Sequence, residues 1–375
     1  MKVGLVCPYN MFRGGGVQEC VLALKDGIIA RGHEANIITP QPRGFKAEKT
    51  DGILLIGKAQ SIRASRTYAD ISVSVDIAKL EDLLEREKFD IIHFHEPWVP
   101  IVSRQILSRS DAIHIATFHA AMSERRTSRT VEKVITPYTK SIFKYLDVMT
   151  AVSPTATNYV STLTNRRLKI VPNGIDLSKY TEAPQSKPKK TKTILYIGRL
   201  EKRKGLKYLL SAFDRISTED HSYKLIIAGD GPDRTKLETL VERESIRNVS
   251  FLGYIDEKKK LSLLKEADVF CSPALYGESF GIVLLEAMAS GCVTVAGNNS
   301  GYESVMQGRG QLSLVNPRDE AEFARRLKLL ATDESLRQAW REWAREHVEQ
   351  YDYNNVIDEY VDIYKEIYEK RQRRT

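Results

Sequence analysis

Glu278 and Glu286 stand eight residues apart in GESFGIVLLEAMASG (277–291), a segment otherwise apolar or small. Ile282, Val283, Leu284 and Leu285 predict a buried helix starting near Gly281, with Glu286 in its second turn. A carboxylate there needs a partner, because unpaired buried charge is costly. A ribose diol, whose two hydroxyls donate to the carboxylate, would serve; the alternative is a structural ion pair or a helix-cap acid. Ser279, Phe280 and Gly281 form the start of this helix, where free amides and the helix dipole favour an anion. A second stretch, GRLEKRKG (198–205), follows the apolar run TILYI and sets Arg199 and Lys204 five residues apart. At the carboxyl end of a strand, a guanidinium and an ammonium so placed clamp a diphosphate. The alternative is a solvated basic loop. A third, YNMFRGGGVQ (9–18), places glycines before a helix that begins near Val17. Gly15 and Gly16 let the backbone come close to an anion; an unliganded glycine turn is the alternative. GGGVQ has neither GxGxxG nor Walker spacing, which argues against a nicotinamide or ATP site.

Of the histidines, His119 follows the strand AIHIAT at its carboxyl end, where ligands of open parallel sheets bind. His93 and His95 alternate with Phe94 on one strand and so point the same way. The sequence indicates no third ligand beside them, and no metal site is expected. Cys7, Cys20, Cys271 and Cys292 show neither metal spacing nor a disulfide framework. Buried free thiols in a reducing cytoplasm are the natural reading.

These residues need parallel strands to position them. In the first half, short apolar runs lie at 2–7, 34–39, 53–56, 90–95, 112–117, 147–152 and 168–171, with helical periods at 17–31 and 76–88. The second half repeats the scheme with strands at 193–198, 223–228, 249–252, 268–272, 293–296 and 312–315. Helices fit 205–217, 233–245, 257–266, 281–290 and 319–331, and the stretch 334–370 reads as helical. Strands separated by helices imply an α/β chain with mostly parallel sheets. The polar segment TEAPQSKPKKTK (181–192) reads as a surface connection, with the domain boundary just before it, near PNG (172–174). The expected division is 1–172, 173–350 and a C-terminal helix, 351–375, crossing back to the first domain.

The chain has 375 residues, 42% apolar and 28% charged, enough for well-packed cores, and a net charge of +8. The positive excess gathers at Arg125, Arg126, Arg129, Lys133, Lys140 and Lys144, at Lys187, Lys189, Lys190 and Lys192, and at Lys370, Arg371, Arg373 and Arg374. Such patches favour phosphates or anionic lipid, or are simply solvated. No aromatic residues interleave with them as in a nucleic-acid reader. The N-terminal run MKVGLVCPYN is too short for a signal peptide's apolar core. No stretch reaches the roughly 20 apolar residues of a membrane span. Any membrane contact is expected to be peripheral.

Taken in order, ten segments resemble the retaining glycosyltransferases of the glycosyltransferase-B fold (glycosyltransferase family 4), and within it the bacterial phosphatidylinositol mannosyltransferase branch. They are VCPYN…GGGVQ (6–18), RGHEANIITP (31–40), HFHEPW (93–98), TFH (117–119), AVSP (151–154), VPNGID (171–176), YIGRLEKRKG (196–205), AGDGPD (228–233), FLGYID (251–256) and ESFGIVLLEAMASG (278–291). The resemblance spans almost the whole chain. It implies two Rossmann-like domains facing across a cleft, and a nucleotide-diphosphate sugar, GDP-mannose foremost, as donor. It implies that Gly15 and Gly16 line the donor diphosphate, and that Arg199 and Lys204 bind and neutralise it. Glu278 would contact the transferred sugar, with Ser279, Phe280 and Gly281 beside it. Glu286 would hold the ribose and Ile255 would pack near the base. His119 would lie beside the acceptor hydroxyl and the sugar, and Tyr9 would border the acceptor. No metal or other cofactor is implied. The implied partners are a lipid acceptor such as phosphatidylinositol and an anionic membrane surface at the cytoplasmic face.

The sequence departs from that branch on the acceptor side, at Arg13 and Gly14, at Trp98 where asparagine is familiar, and at Ala120 where threonine is. The helix at 76–88 is mixed in charge where that branch is basic, so membrane attraction is expected from Arg63, Arg66 or the 125–144 stretch. Two other readings compete. One is transfer from another UDP- or GDP-sugar to a different lipid or a soluble glycan. The other is a non-catalytic nucleotide-sugar or polyanion binder, which the intact set Arg199, Lys204, Glu278 and Glu286 argues against.

Overall fold

The computed structural model describes residues 1–12, 14–42, 50, 52–64, 67–120, 128–180 and 190–373. Arg13, Arg66, Arg125, Arg126, Lys187, Lys189, Arg374 and most of the 181–192 connection lie outside the described residues. So do the side chains of Arg63, Arg129 and Lys133. The chain divides into two compact units, one of Met1–Gly174 with Tyr353–Thr375 and one of Ile175–Asp352. Each boundary falls two residues beyond the sequence expectation.

The first unit holds strands β1 Lys2–Val6, β2 Glu34–Gln41, β3 Ile53–Ala64, β4 Thr67–Ser74, β5 Ile91–His95, β6 Ile113–Phe118, β7 Val148–Ala151 and β8 Lys169–Ile170. They form one sheet in the order β4-β3-β2-β1-β5-β6-β7-β8. All its pairs are parallel except β3 with β4. Helices α1 Gly16–Ala30, α2 Ile77–Glu87, α3 Val102–Leu107, α4 Ser128–Ile142 and α5 Pro154–Ser161 connect the strands. The central strands are buried on both faces, as strands covered by helices must be. Their core takes in Val3, Leu5, Ile91 and Ile115, Val21 and Leu24 of α1, and Ile357, Tyr360, Val361 and Tyr364 from the far end of the chain.

The second unit holds β9 Lys192–Ile197, β10 Tyr223–Ala228, β11 Val249–Gly253, β12 Val269–Ser272, β13 Val293–Gly297 and β14 Leu314–Val315. They pair in parallel in the order β11-β10-β9-β12-β13-β14. Its helices are α6 Leu206–Glu219, α7 Arg234–Arg243, α8 Glu257–Glu266, α9 Ile282–Ala289, α10 Ser300–Val305, α11 Glu320–Thr332 and α12 Glu334–Glu349. The helical stretch expected over 334–370 is two helices. It breaks at 350–352, and α13 Tyr353–Gln372 packs into the core of the first unit. In both sheets the order doubles back beside the first strand, β1 or β9, and open parallel sheets bind ligands beyond the carboxyl ends of their strands at such a point.

Candidate functional site

In the first unit, β5 and β6 run side by side, pairing His95 with Thr117, and deliver His95 and His119 to the same rim of the sheet. Both are buried. His95 Nδ1 lies 2.9 Å from His119 Nε2, and the rings stack with centroids 5.1 Å apart. The His93 ring lies tilted against that of His95, centroids 4.4 Å apart, so the pair does share a face. His93 bonds Tyr364 of α13 through Nδ1 and Thr117 through Nε2, both at 2.6 Å. Burial holds these imidazoles neutral: it pushes His93 down to about 3 and His119 to about 4, with Asn173 opposing the latter. Cys20 of α1 completes a buried group with His95 and His119, one ligand atom from each lying within 4.8 Å of the others. Burial pushes the Cys20 thiol up to about 12, and the two imidazoles already engage each other.

Glu96 follows β5. It is 1% exposed, and its carboxylate accepts hydrogen bonds from the backbone amides of His119 and Ala120, the latter at 2.6 Å. Tyr9, beyond the end of β1, is half-buried, and its carbonyl accepts from Thr39 Oγ1 at 2.8 Å. Gly16 is the first residue of α1, and Gly15 before it supplies no side-chain cap, so the helix presents bare amides there. Trp98, the departure expected to border the acceptor, is buried against Phe118 at 5.3 Å and Tyr159 at 5.6 Å, and belongs to the packing.

In the second unit, β9 ends at Ile197 and a single 3-10 turn, Lys202–Lys204, leads into α6. Lys204 Nζ lies 3.0 Å from Glu278 Oε1, both side chains being only about a seventh exposed. Arg203 also bonds Glu278 and pairs with Glu201 at 2.9 Å, and Glu201 pairs with Arg199 at 3.1 Å. Three cations and two acids thus form one network, and the three predicted residues Arg199, Lys204 and Glu278 belong to it. Burial opposes the charge on Arg203, but Glu278 and Glu201 outweigh it and hold the guanidinium above its ordinary value. Arg203 and Glu201 were not singled out from the sequence. Their signal was the run EKRK beside Lys204, in which spacing alone does not say which cation turns inward.

Glu286 is buried on α9, and Lys260 of α8 pairs with it at 2.6 Å. Burial works against the Lys260 charge, while Glu286 and Glu257 raise its pKa. Lys260 thus gives Glu286 an ion-pair partner, one of the readings the sequence left open. Nothing in DEKKK marked Lys260 as the partner. Phe280 is buried with its ring edge-on to Tyr351 at 5.7 Å, so only its backbone is left to serve a ligand. Gly281 takes a positive φ of 118° immediately before α9, and Ser279 is half-buried. Ile255, half-buried, lies in the turn between β11 and α8.

Two Rossmann-like parallel sheets, one rimmed by a bare helix start and buried histidines and the other by a network of cations and acids, define a transferase of the glycosyltransferase-B fold. The family model "Glycosyl transferases group 1" matches residues 179–347, and "Glycosyltransferase Family 4" matches 14–179. The phosphatidyl-myo-inositol mannosyltransferase of Mycolicibacterium smegmatis is 30% identical over 98% of this chain and 94% of its own. The one from Propionibacterium freudenreichii is 31% identical over 82% of this chain and 79% of its own. Among solved structures, sucrose-phosphate synthase from Thermosynechococcus elongatus superposes with a TM-score of 0.79 at 19% identity, over 98% of this chain and 99% of that one. The chain belongs to glycosyltransferase family 4, and is a retaining hexosyltransferase related throughout to the phosphatidyl-myo-inositol mannosyltransferases.

Proposed function

We propose that the protein transfers mannose from GDP-mannose to a lipid-linked acceptor such as phosphatidylinositol, with the anomeric configuration retained. The observation that carries this reading is the 30% identity to phosphatidyl-myo-inositol mannosyltransferases over nearly both whole chains. The donor site is assigned to the rim of the second sheet. As the bond from the anomeric carbon to the diphosphate breaks, negative charge grows on the leaving oxygen. Arg199 and Lys204 stabilise it electrostatically. The amides of Gly15 and Gly16 at the start of α1 are assigned to a donor phosphate. Glu278 contacts the sugar near its oxocarbenium-like centre. A carboxylate accepts several hydrogen bonds at once, so Glu286 holds the ribose diol while paired with Lys260. Ile255 packs by the base, and Ser279, Phe280 and Gly281 offer backbone groups to the donor. The acceptor hydroxyl bonds to the anomeric carbon on the face the diphosphate leaves, and its proton passes to the leaving phosphate oxygen. His119, neutral, orients that hydroxyl, and Tyr9 borders the acceptor. Charged side chains neutralise the diphosphate in place of a metal.

Among the described residues no helix is long and apolar enough to cross a membrane. The reading therefore has the protein meet its lipid at the cytoplasmic surface of an anionic membrane, held by basic residues such as the exposed Lys140 and Lys144. The test offers GDP-mannose and competing UDP- and GDP-sugars with phosphatidylinositol vesicles, soluble glycans and other lipids. The expected result is mannosyl transfer to phosphatidylinositol, lost in Arg199→Ala and Lys204→Ala proteins that remain folded. Transfer from another donor or to another acceptor selects the second reading, a different sugar or lipid. Nucleotide-sugar binding with no turnover on any acceptor contradicts the enzyme reading.

A further inference from the structure

The backbone of Glu96 is held in a conformation that side-chain-bearing residues rarely adopt, with φ at 54°. Such a conformation persists only where the surroundings fix it, and here they do. The Glu96 amide donates to the Thr117 carbonyl at 2.9 Å, extending the β5–β6 ladder by one rung, and its own carbonyl accepts from Val99 at 3.0 Å. The side chain then reaches past the end of β6 to the amides of His119 and Ala120. Glu96 thus grips residues 117–120 at two levels, by backbone and by carboxylate. Its other oxygen, Oε2, is buried without a hydrogen-bond partner. The Trp98 indole lies near enough to favour the charged form without completing a bond of normal geometry. So much polar capacity spent on two adjacent amides, at the one turn that carries His119, is more than the sheet requires.

We propose that Glu96 is a positioning residue for His119: its carboxylate fixes the turn that sets the imidazole, and through it the acceptor hydroxyl. This rests on the reading of His119 as an acceptor-side residue. Protonation of the carboxyl removes charge-assisted acceptance from both amides, which is the stronger kind of hydrogen bond, so the hold loosens as pH falls. Burial raises this carboxyl to about 7, against the lowering effect of the two amides and Trp98. The groups that face it do not titrate there. Cys7, at the end of β1, is pushed up to about 12, chiefly by burial. Tyr9 is raised well above its ordinary value by burial and by Glu96 itself. His119 from β6 is held down at about 4, and His95, next to Glu96 on β5, also lies well below its ordinary value through burial. Over the neutral range Glu96 is the member of this group that changes charge.

The experiment follows the amide resonances of His119 and Ala120 in the full chain, assigned by single substitution, from roughly pH 5 to roughly pH 9. It is repeated on Glu96→Gln, which keeps the shape and removes the charge. Acceptor and donor KM and kcat are measured across the same range. The expected result is a shared midpoint near 7 for both amides, absent in Glu96→Gln. The acceptor kcat/KM should fall about tenfold below that midpoint in the parent protein, be low and flat in Glu96→Gln, and leave the nucleotide-sugar KM unchanged in both. No amide midpoint in this range in the parent, which is decisive even if Glu96→Gln fails to fold, overturns the proposal. So does the same midpoint in the variant. An amide titration that disappears in Glu96→Gln, without transfer from any donor, supports the grip on the turn while contradicting the transferase role of His119.

Discussion

Glu278 takes Arg203 and Lys204 together as partners, and Arg199 is tied to the same group through Glu201. A diphosphate arriving at this rim competes with Glu278 for the same cations. Glu278→Gln should therefore tighten binding of free GDP, by about threefold or more, because a competing acid is gone. Transfer should nevertheless fall about a hundredfold, because the contact to the reacting sugar is gone as well. Calorimetry with GDP beside a transfer assay checks both; weaker GDP binding in the variant would place the diphosphate elsewhere. The sequence showed Glu278, Arg199 and Lys204 because motif and strand position coincide at all three. It did not show Arg203 or Lys260, since a cation in a basic run carries no mark of which acid it meets. Glu96 stood in HFHEPW without a role, because its partners are backbone amides 23 and 24 residues away.

The network hangs on the turn between β9 and α6, and that turn depends on Gly205. Its φ is 73°, and a Cβ there would lie 2.0 Å from the Pro273 carbonyl oxygen. Gly291 offers a control: its φ is 68°, with nothing within 4 Å of a Cβ. Gly291→Ala carries only the backbone cost, about 1 kcal/mol, whereas Gly205→Ala adds a clash with backbone and should cost about 3 kcal/mol or more. Thermal unfolding of the two variants measures the difference, and equal costs would show that the Pro273 contact yields. Elements with strong apolar periods, such as β1, β9, β10 and the helix bearing Glu286, were legible because burial on a sheet imposes the pattern. The strand β4 was not. Its sequence TYADISVS pairs antiparallel with β3 at the edge of the sheet, where one strand has a single neighbour and little need to be apolar. Helix α5 carried a plain start signal, Ser153 capping the Ala156 amide with Pro154 at the first helical position. At eight residues it is too short to show a period.

Stability of the whole molecule should depend on the buried histidines of the first unit. His93 and His119 have folded pKa values of about 3 and about 4, below the ordinary 6.5, and His95 is also depressed. The unfolded chain therefore binds protons first as pH falls below 6.5, so acid destabilises, by about 1.4 kcal/mol per pH unit for each histidine. Glu96 has the opposite sign. Its folded pKa of about 7 exceeds the ordinary 4.5, so the folded state takes its proton first and gains stability as pH falls between those values. Glu96→Gln removes that offset, and its Tm should drop more steeply than the parent's between pH 7 and roughly pH 5. Parallel slopes would contradict the assignment of the raised carboxyl. A division near PNG (172–174) and a last helix crossing back were both expected from the sequence; that Val356, Ile357, Tyr360 and Tyr364 are among the residues of α13 that enter the core of the first unit was not legible, because tertiary packing decides it. Retained transfer of mannose to a lipid is checked by incubating the full chain with GDP-mannose and phosphatidylinositol vesicles and reading the anomeric configuration of the product by NMR. The expected product is a mannosylated phosphatidylinositol with the α configuration of the donor. A β-linked product, or no product from any nucleotide sugar and any acceptor, would contradict it.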